Sequence, residues 1–372
     1  TMVHNNKFDL VAEINWIDDF SIDINANRSY SENFFENFSV INNEYNSLNP
    51  YRSGNFSIST IMIGTSFEKS DQYNSKNFET FQQNRIIIAK RLALLNGNSN
   101  GQFDEFGFPI GYGKNNQAVL IPSFVAAYTG SDPNNISLNA IRSTPLPNWS
   151  IQYTGFLNFE FFKDRFKRFS LSHSYRSSYT LNSFKSNLEF DRENNMRTDQ
   201  SGNFLNETLY TNVNLVEQFN PLLKIDMEFK NSIRVLLELK KDRALSLSLD
   251  NNLLTESSGM DYSIGFGYRV KDLKFRNNIR GRQSVSSGDL NIKADLNYRD
   301  NITIIRNLDL LENRVTAGQS IWSFKLSADY ALSKNFNAVF FYDHLFSEFA
   351  ISTAFPQTTI RSGLTLRYNF GD

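Results

Sequence analysis

The sequence predicts an all-β protein: an antiparallel transmembrane β-barrel carrying one long mixed insertion. Three observations predict it. Apolar and polar residues alternate with period two along most of the chain. No segment is apolar enough for a membrane helix. The connections between the alternating runs sort into short and long ones.

Alternation puts successive side chains on opposite faces of a strand. The first run has Phe8, Leu10, Ala12, Ile14 and Trp16 on one parity, with Lys7, Asp9, Glu13 and Asn15 on the other. The pattern restarts at Phe20, Ile22, Ile24 and Ala26, and less regular runs follow near 33–44 and 54–66. In the second half Leu223, Ile225, Met227 and Phe229 alternate with Lys224, Asp226 and Glu228. Tyr262 to Val270, Leu290 to Tyr298 and Trp322 to Tyr330 repeat the pattern, and "SGLTLRYNF" closes it with Leu364, Leu366, Tyr368 and Phe370. Most runs are about 9–11 residues, the length a tilted strand needs to cross a bilayer.

Composition decides which way the apolar faces point. Hydrophobic residues make up 40% of the 372 residues, and mean hydropathy is −0.42. No run approaches the roughly 18 apolar residues of a membrane helix, but a barrel needs none, because every second residue faces the lumen. The 34 Phe and 16 Tyr suit a lipid-facing surface. A water-soluble sandwich would need something to cover its apolar faces, and the chain has nothing left for that. The 8 prolines cluster away from the alternating runs, as strands require. Net charge −1 offers no basic surface for nucleic acid. The absence of cysteine excludes thiolate chemistry and Cys-based zinc sites, and suits passage through an oxidising periplasm. "TMVHNN" is no signal peptide, so export requires a segment upstream of it.

Counting back from the C-terminus, "ALSK", "RDN" and "KD" read as short turns. "NLDLLENRVTAGQ", "RGRQSVSSG" and "NNLLTESSG" read as long loops. Outer-membrane barrels have short periplasmic turns and longer outer loops, which places the C-terminus in the periplasm. Trp149 and Trp322 then fall at outer strand ends and Trp16 at an inner one. The count is about 17 strands. An odd number implies part of a larger barrel, since single-chain bacterial barrels are even-stranded.

The expected organisation is therefore transmembrane strands over 1–67, an extracellular insertion over 68–147, and transmembrane strands over 148–372. A connection as long as 68–147 is usually functional, here as a cap or docking element. It contains a helix, "NFETFQQNRIIIAKRLALL", with Phe78, Phe81, Ile88, Leu92 and Leu95 at helical spacing. It also contains "AVLIPSFVAAYTG", an apolar stretch that packs rather than spans.

Catalytic chemistry was sought without result. His4, His173 and His344 are isolated in sequence. "GFPIGYGKNN" fails as a phosphate loop, with Phe108 at the first glycine and Asn115 after the lysine. Asp18 with Asp19, and Asp104 with Glu105, read as solvated turns. No catalytic residue and no cofactor is expected, and the protein is not expected to be an enzyme. One candidate metal site is "NGNSNGQFDEFG", where Asn96, Asn98 and Asn100 precede Gly101 as in a calcium loop, with Asp104 following. Position twelve is Gly107 where a bidentate Glu belongs. The polar parity supplies the expected lumen lining: Arg269, Lys271, Lys293, Asp295, Lys325, Asp329, Arg361 and Arg367. Both signs are present, so a wide wet passage fits better than an ion filter.

Several strings resemble one family. "VLIPSFVAAYTG" (119–130), "PLPNWSIQYTGF" (145–156), "FSLSHSYRSSYT" (169–180) and the closing "SGLTLRYNF" are similar to the C-terminal region of the SprA/Sov family. That family is the outer-membrane translocon of the type IX secretion system of Bacteroidota. The similarity runs over essentially the whole chain. It implies the C-terminal portion of a very large barrel, on the order of 36 strands. It also implies a bacterial outer-membrane location, and passage of folded cargo from periplasm to surface, gliding adhesins among it. Implied partners are outer-membrane lipid, a PorV-like barrel protein at a lateral opening, a periplasmic plug protein, the cargo, and the remainder of the same barrel chain. Leu364, Leu366, Tyr368 and Phe370 are then the assembly signal of the terminal strand. Two alternatives stand beside this reading. One is the barrel portion of a TonB-dependent receptor or a porin. The other is a non-membrane, β-rich surface or adhesion protein.

Overall fold

Alternating sequence becomes strand wherever neighbouring strands take up its backbone hydrogen bonds. A computed structural model describes residues 1–97, 101–279, 282–310, 312–333, 335–351, 354–368 and 370. The fold is all-β, and among the described residues thirteen strands join one antiparallel sheet. They are β1 (Met2–Ile17), β2 (Phe20–Ile41), β3 (Glu44–Ser59), β4 (Asn148–Tyr153), β5 (Phe166–Ser186) and β6 (Thr208–Tyr210). Then come β7 (Asn212–Phe229), β8 (Ile233–Ser248), β9 (Leu253–Ile279), β10 (Arg282–Asn307), β11 (Asn313–Ser333), β12 (Phe336–Phe349) and β13 (Gln357–Tyr368). The main path runs β1-β2-β3-β5-β7 and then in sequence order to β13, with β4 pairing β2 and β5, β6 pairing β5, and β1 and β13 at the two edges. One rim, called lower here, holds the end of β1, the start of β2 and the end of β13. The opposite, upper rim holds the start of β1.

The strands are fewer and longer than the sequence predicts. "KD" and "RDN", expected as turns, lie inside β9 and β10. Lys271 and Asp272 form a bulge opposite Asp289, where the register shifts between Leu290↔Val270 and Gly288↔Leu273. Arg299, Asp300 and Asn301 pair on both sides. Much of the expected long loops is likewise strand, since β9 begins at Leu253 and β11 at Asn313. At Arg299–Asn301 two flanking strands satisfy the backbone and override a local turn preference, whereas at Lys271–Asp272 the turn residues survive as the bulge, Asp272 at φ 54° with its amide on Asp289. Loop length therefore no longer distinguishes the rims. Trp149 lies at the start of β4, but at mid-height of the wall, and Trp322 lies in the middle of β11, so neither stands at a rim.

Where a tight turn is needed, the residues suit it. Asn42 and Asn43 both have positive φ (55° and 65°) between β2 and β3, the geometry of a type I′ hairpin, which asparagine tolerates. Asp19 turns β1 into β2 in the same region of φ.

The largest departure concerns the insertion. β3 and β4 occupy the same slot between β2 and β5, running in the same direction one below the other. Asn27 N–H donates to Ser59 Oγ at 3.1 Å, and Asn25 pairs with Asn148. One wall strand is thus interrupted near half-height, and the insertion leaves and re-enters there, with Leu146 N–H donating to Ser59 O at 3.0 Å. It begins at Thr60, not at residue 68, and it is not a loop at a strand end. Sequence periodicity could not show this, because β3 and β4 each read as a strand of their own.

Within the insertion α1 (Lys76–Asn96) and α2 (Gln117–Thr129) cross with Phe81 against Phe124, ring centroids 6.0 Å apart. Ser75 caps α1 and Asn116 caps α2; each helix ends on a left-handed glycine, Gly97 and Gly130. α2 is apolar all round and buried, as such a helix must be. Its core is shared with the upper wall through Phe56, Ile58, Tyr179, Leu181, Leu215, Leu245 and Leu254. Those residues lie on the same face of the sheet as Ile264 and Leu296 lower down, because the register of β8, β9 and β10 is unbroken between the two levels.

Candidate functional site

Three surfaces are arranged on this wall, and each follows from parity. The first is apolar and uncovered. Tyr262, Ile264, Phe266 and Tyr268 of β9 sit on one face, opposite Tyr298, Leu296, Ala294 and Ile292 of β10. Ile264 is 50% exposed although strands pair on both sides of it, and Leu364 of β13 is 66% exposed. A continuous patch of this kind marks contact with lipid or protein. From Tyr298 to Leu290 the band measures on the order of 25 Å along the strand.

Aromatic residues bound the band on both sides. Toward the upper rim Trp149 stacks on Tyr175 (4.7 Å) and Tyr175 meets Phe219 (4.9 Å). In the neighbouring register row Tyr298 lies between Tyr262 (6.0 Å) and Trp322 (4.4 Å). Toward the lower rim Phe166 packs between Phe229 (4.5 Å) and Phe169 (5.2 Å), and Phe20 meets Tyr153 (6.1 Å). The short helix α3 (Glu160–Arg165) adds Phe161, which is exposed beneath the Arg165 guanidinium, and Phe162. On the far side Tyr368 touches Phe336 (6.3 Å) and Phe370 (4.8 Å). Aromatic rows thus flank the apolar band on both sides, with Tyr175 and Phe219 of the upper row buried beneath the insertion and Trp322 exposed.

The second surface is the polar parity. Asp295 pairs with Lys325, Lys325 with Asp343, and Asp343 with Arg361, giving a ladder of alternating sign across four strands. Arg361 Nη2 is 3.3 Å from Asp343 Oδ2. Arg269, Lys271, Lys293 and Asp329 lie together at the lower rim around one cavity of about 470 Å³. Arg367 stands opposite Asn337. The structure therefore brings the eight sequence-predicted residues to the polar face or its bulge, with four of them in one cluster.

The third surface is where the insertion grips the wall, and sequence reading missed it. Glu217 (β7) and Arg243 (β8) are cross-strand partners and almost fully buried, Nη2 to Oε2 3.1 Å. The hydroxyls of Ser66 (2.6 Å) and Tyr175 (2.8 Å) donate to Glu217 Oε1, while Arg243 donates to the carbonyl and hydroxyl of Thr65, both at 3.0 Å. Beside them Arg306 (β10) is completely buried. It donates to Glu256 (β9) at 3.1 Å, Ser70 Oγ at 2.9 Å and Asp71 O at 3.1 Å. Two buried ion pairs thus hold residues 62–71 against the wall. One signal was available: each of these four charges stands on the apolar parity of an otherwise alternating strand.

With these surfaces defined, comparison with known proteins is brief. No family model and no curated protein matches the chain.

Two remaining sequence expectations concern single loops. In the calcium candidate, Asn98 and Asn100 lie outside the described residues. Asn96 Nδ2 donates to Tyr112 Oη at 2.6 Å. Asp104 Oδ1 accepts from the amides of Phe106 (2.9 Å) and Phe108 (2.8 Å), folding its own turn. Among the described residues no group of three potential metal ligands comes together. The other expectation, the terminal strand, forms as β13 and exposes Leu364, Leu366, Tyr368 and Phe370. In the insertion the Asp71 carboxyl is held down at about 2 by the Lys69 ammonium and the amides of Asn74 and Tyr73. Burial drives the Tyr128 hydroxyl far above its ordinary value.

Proposed function

We propose that this chain is the wall of an outer-membrane β-barrel that conducts proteins, the translocon of the type IX secretion system. One observation carries the barrel part of the reading: a long antiparallel sheet with an uncovered apolar band between two aromatic belts on one face and mixed charge on the other. The apolar face meets lipid, and the polar face lines a wet passage. The resemblance of four strings to the SprA/Sov family supplies the rest, namely folded cargo moving from periplasm to surface. Eleven strands run edge to edge along the main path of the sheet, and both edges are free. This suits a segment of a larger wall in which β1 and β13 pair with strands elsewhere.

In this reading the insertion is not a lid over the mouth. Its helices stack on the outward face above the upper belt, where they stiffen the wall and broaden it sideways. A conduit of this kind does no covalent chemistry. Its work lies in the width and wetting of the polar face, and a PorV-like barrel and a plug protein are partners to be sought at its flank and lower rim.

The test is conditional depletion of the chain, followed by the location of cargo bearing C-terminal targeting domains. Cargo should accumulate in the periplasm while outer-membrane porins stay at normal levels. Unchanged cargo in the medium would remove the translocon reading. Recovery of the chain in the salt-washed soluble fraction would remove the barrel itself.

A further inference from the structure

The lower rim carries more positive charge than the rest of the molecule explains. The cavity of about 470 Å³ there is lined on the polar face by Lys167, Arg234, Arg269, Lys271 and Lys293, against the carboxylates of Glu228 and Asp329. It is hollow because Gly267 stands between Arg234 and Lys293 in the register, with no side chain to fill the row. Glu228 is already shared by Lys167 (3.1 Å) and Arg234 (3.2 Å), and Arg269 is held by Asp289 at 2.5 Å. Neither Lys271 nor Lys293 makes a salt bridge among the described residues, although Lys271 lies within electrostatic reach of the Asp289 carboxylate that Arg269 holds.

A second observation concerns the backbone beyond the rim. β8 last pairs with β9 at Tyr268, and β11 with β10 at Leu290. Beyond Leu273 and Gly288, which Tyr330 and Ala331 of β11 still touch, β9 and β10 pair only with each other among the described residues, as far as Ile279↔Arg282. They form a two-stranded ribbon that projects on the order of 20 Å past the wall. Between Asp272 and Asp289 the sequence has Lys274, Arg276, Arg280 and Arg282 and no carboxylate. The protein as a whole is at net charge −1, so this run is a local concentration of one sign.

We infer that the lower rim is a docking site for an acidic, extended polypeptide segment, seated in the Lys271–Lys293 hollow and continued along the β9–β10 ribbon. A peptide fits better than a small anion because the ribbon offers free backbone edges, which add a strand by main-chain hydrogen bonds. It fits better than a lipid headgroup because the hollow opens on the polar face. Oppositely charged surfaces also speed encounter and select partners. That this rim is the periplasmic mouth rests on the barrel reading; the binding itself does not.

The experiment uses the full chain in detergent and a fluorescent poly-glutamate peptide, followed by anisotropy at low ionic strength. Binding is expected, and it should weaken as salt screens the exposed charges. Lys271→Glu with Lys293→Glu should weaken it roughly tenfold, and the Gln pair about threefold, while Lys90→Glu in the insertion leaves it unchanged. Electrophoretic heat-modifiability confirms that each variant is folded. Equal affinity in the Glu pair, equal binding of poly-lysine, or displacement by inorganic phosphate at matched charge would each overturn the proposal. The cargo-location assay described above reads the translocon function separately, so failure of one leaves the other standing.

Discussion

Replacing Arg243 with alanine removes one half of the buried clamp. Glu217 would stay buried against Ser66 and Tyr175 without its arginine partner, and the Thr65 carbonyl would keep Asn77 but lose its charged donor. Removing one partner of a buried pair costs about 3–5 kcal/mol, because the other charge is left desolvated. The wall strands keep their ladders, so the loss falls on the docking of residues 62–71 and the helices behind them. A local opening that becomes 3–5 kcal/mol easier is populated roughly 10²–10⁴-fold more. Amide exchange along α1 and α2 should therefore accelerate by that factor at unchanged β9–β10 exchange. A second variant, Arg243→Met with Glu217→Leu, removes both charges and should restore slow exchange to within about 1 kcal/mol of the parent. Exchange in Arg243→Ala equal to the parent would refute the clamp. Equal acceleration throughout the wall would show that the pair stabilises the sheet and not the insertion.

Four further outcomes are expected. Trp322 as the sole tryptophan (Trp16→Phe, Trp149→Phe) should be quenched most by lipids brominated near the headgroup, and no quenching at any depth would refute the lipid-facing band. Phe124→Ala empties the α1–α2 contact and should lower the insertion's melting stability by about 3–5 kcal/mol; a loss under about 1 kcal/mol would mean that this core is not close-packed. Tyr368→Ala with Phe370→Ala should reduce the yield of heat-modifiable, surface-exposed protein, and normal yield would remove the assembly role of β13. Deleting 60–147 and joining Ser59 to Asn148 by a short extended linker should leave the wall assembled with its upper apolar face uncovered. Reduced cargo secretion or greater uptake of large antibiotics is then expected, and no change in either would refute a supporting role for the insertion.

Much of this was legible in the chain because a strand's side-chain period is two regardless of context. Parity alone separated Tyr262, Ile264 and Phe266 from Arg269, Lys293 and Asp295, and pairing put each set on its expected face. The helix at 77–95 was legible for the same kind of reason, since its apolar spacing and its caps are local. Strand ends were not. Lys271–Asp272 and Arg299–Asn301 have the composition of turns, yet the first pair is absorbed as a bulge, its Asp272 amide donating to the Asp289 carboxylate, and Arg299–Asn301 continue as strand because β9 and β11 on either side take up their hydrogen bonds. Nor was the clamp legible. Glu217, Arg243, Glu256 and Arg306 read as misplaced charges until the insertion is folded over them.

The sequence by itself thus determined an antiparallel sheet with one apolar and one polar face, and a helical insertion able to pack its own core. Only the tertiary structure decided that β3 and β4 share one slot, so that the insertion leaves the wall at mid-height and lies on the apolar face of the sheet. The reason is physical: periodicity is a property of one strand, whereas register, interruption and burial of charge depend on which distant strand lies alongside.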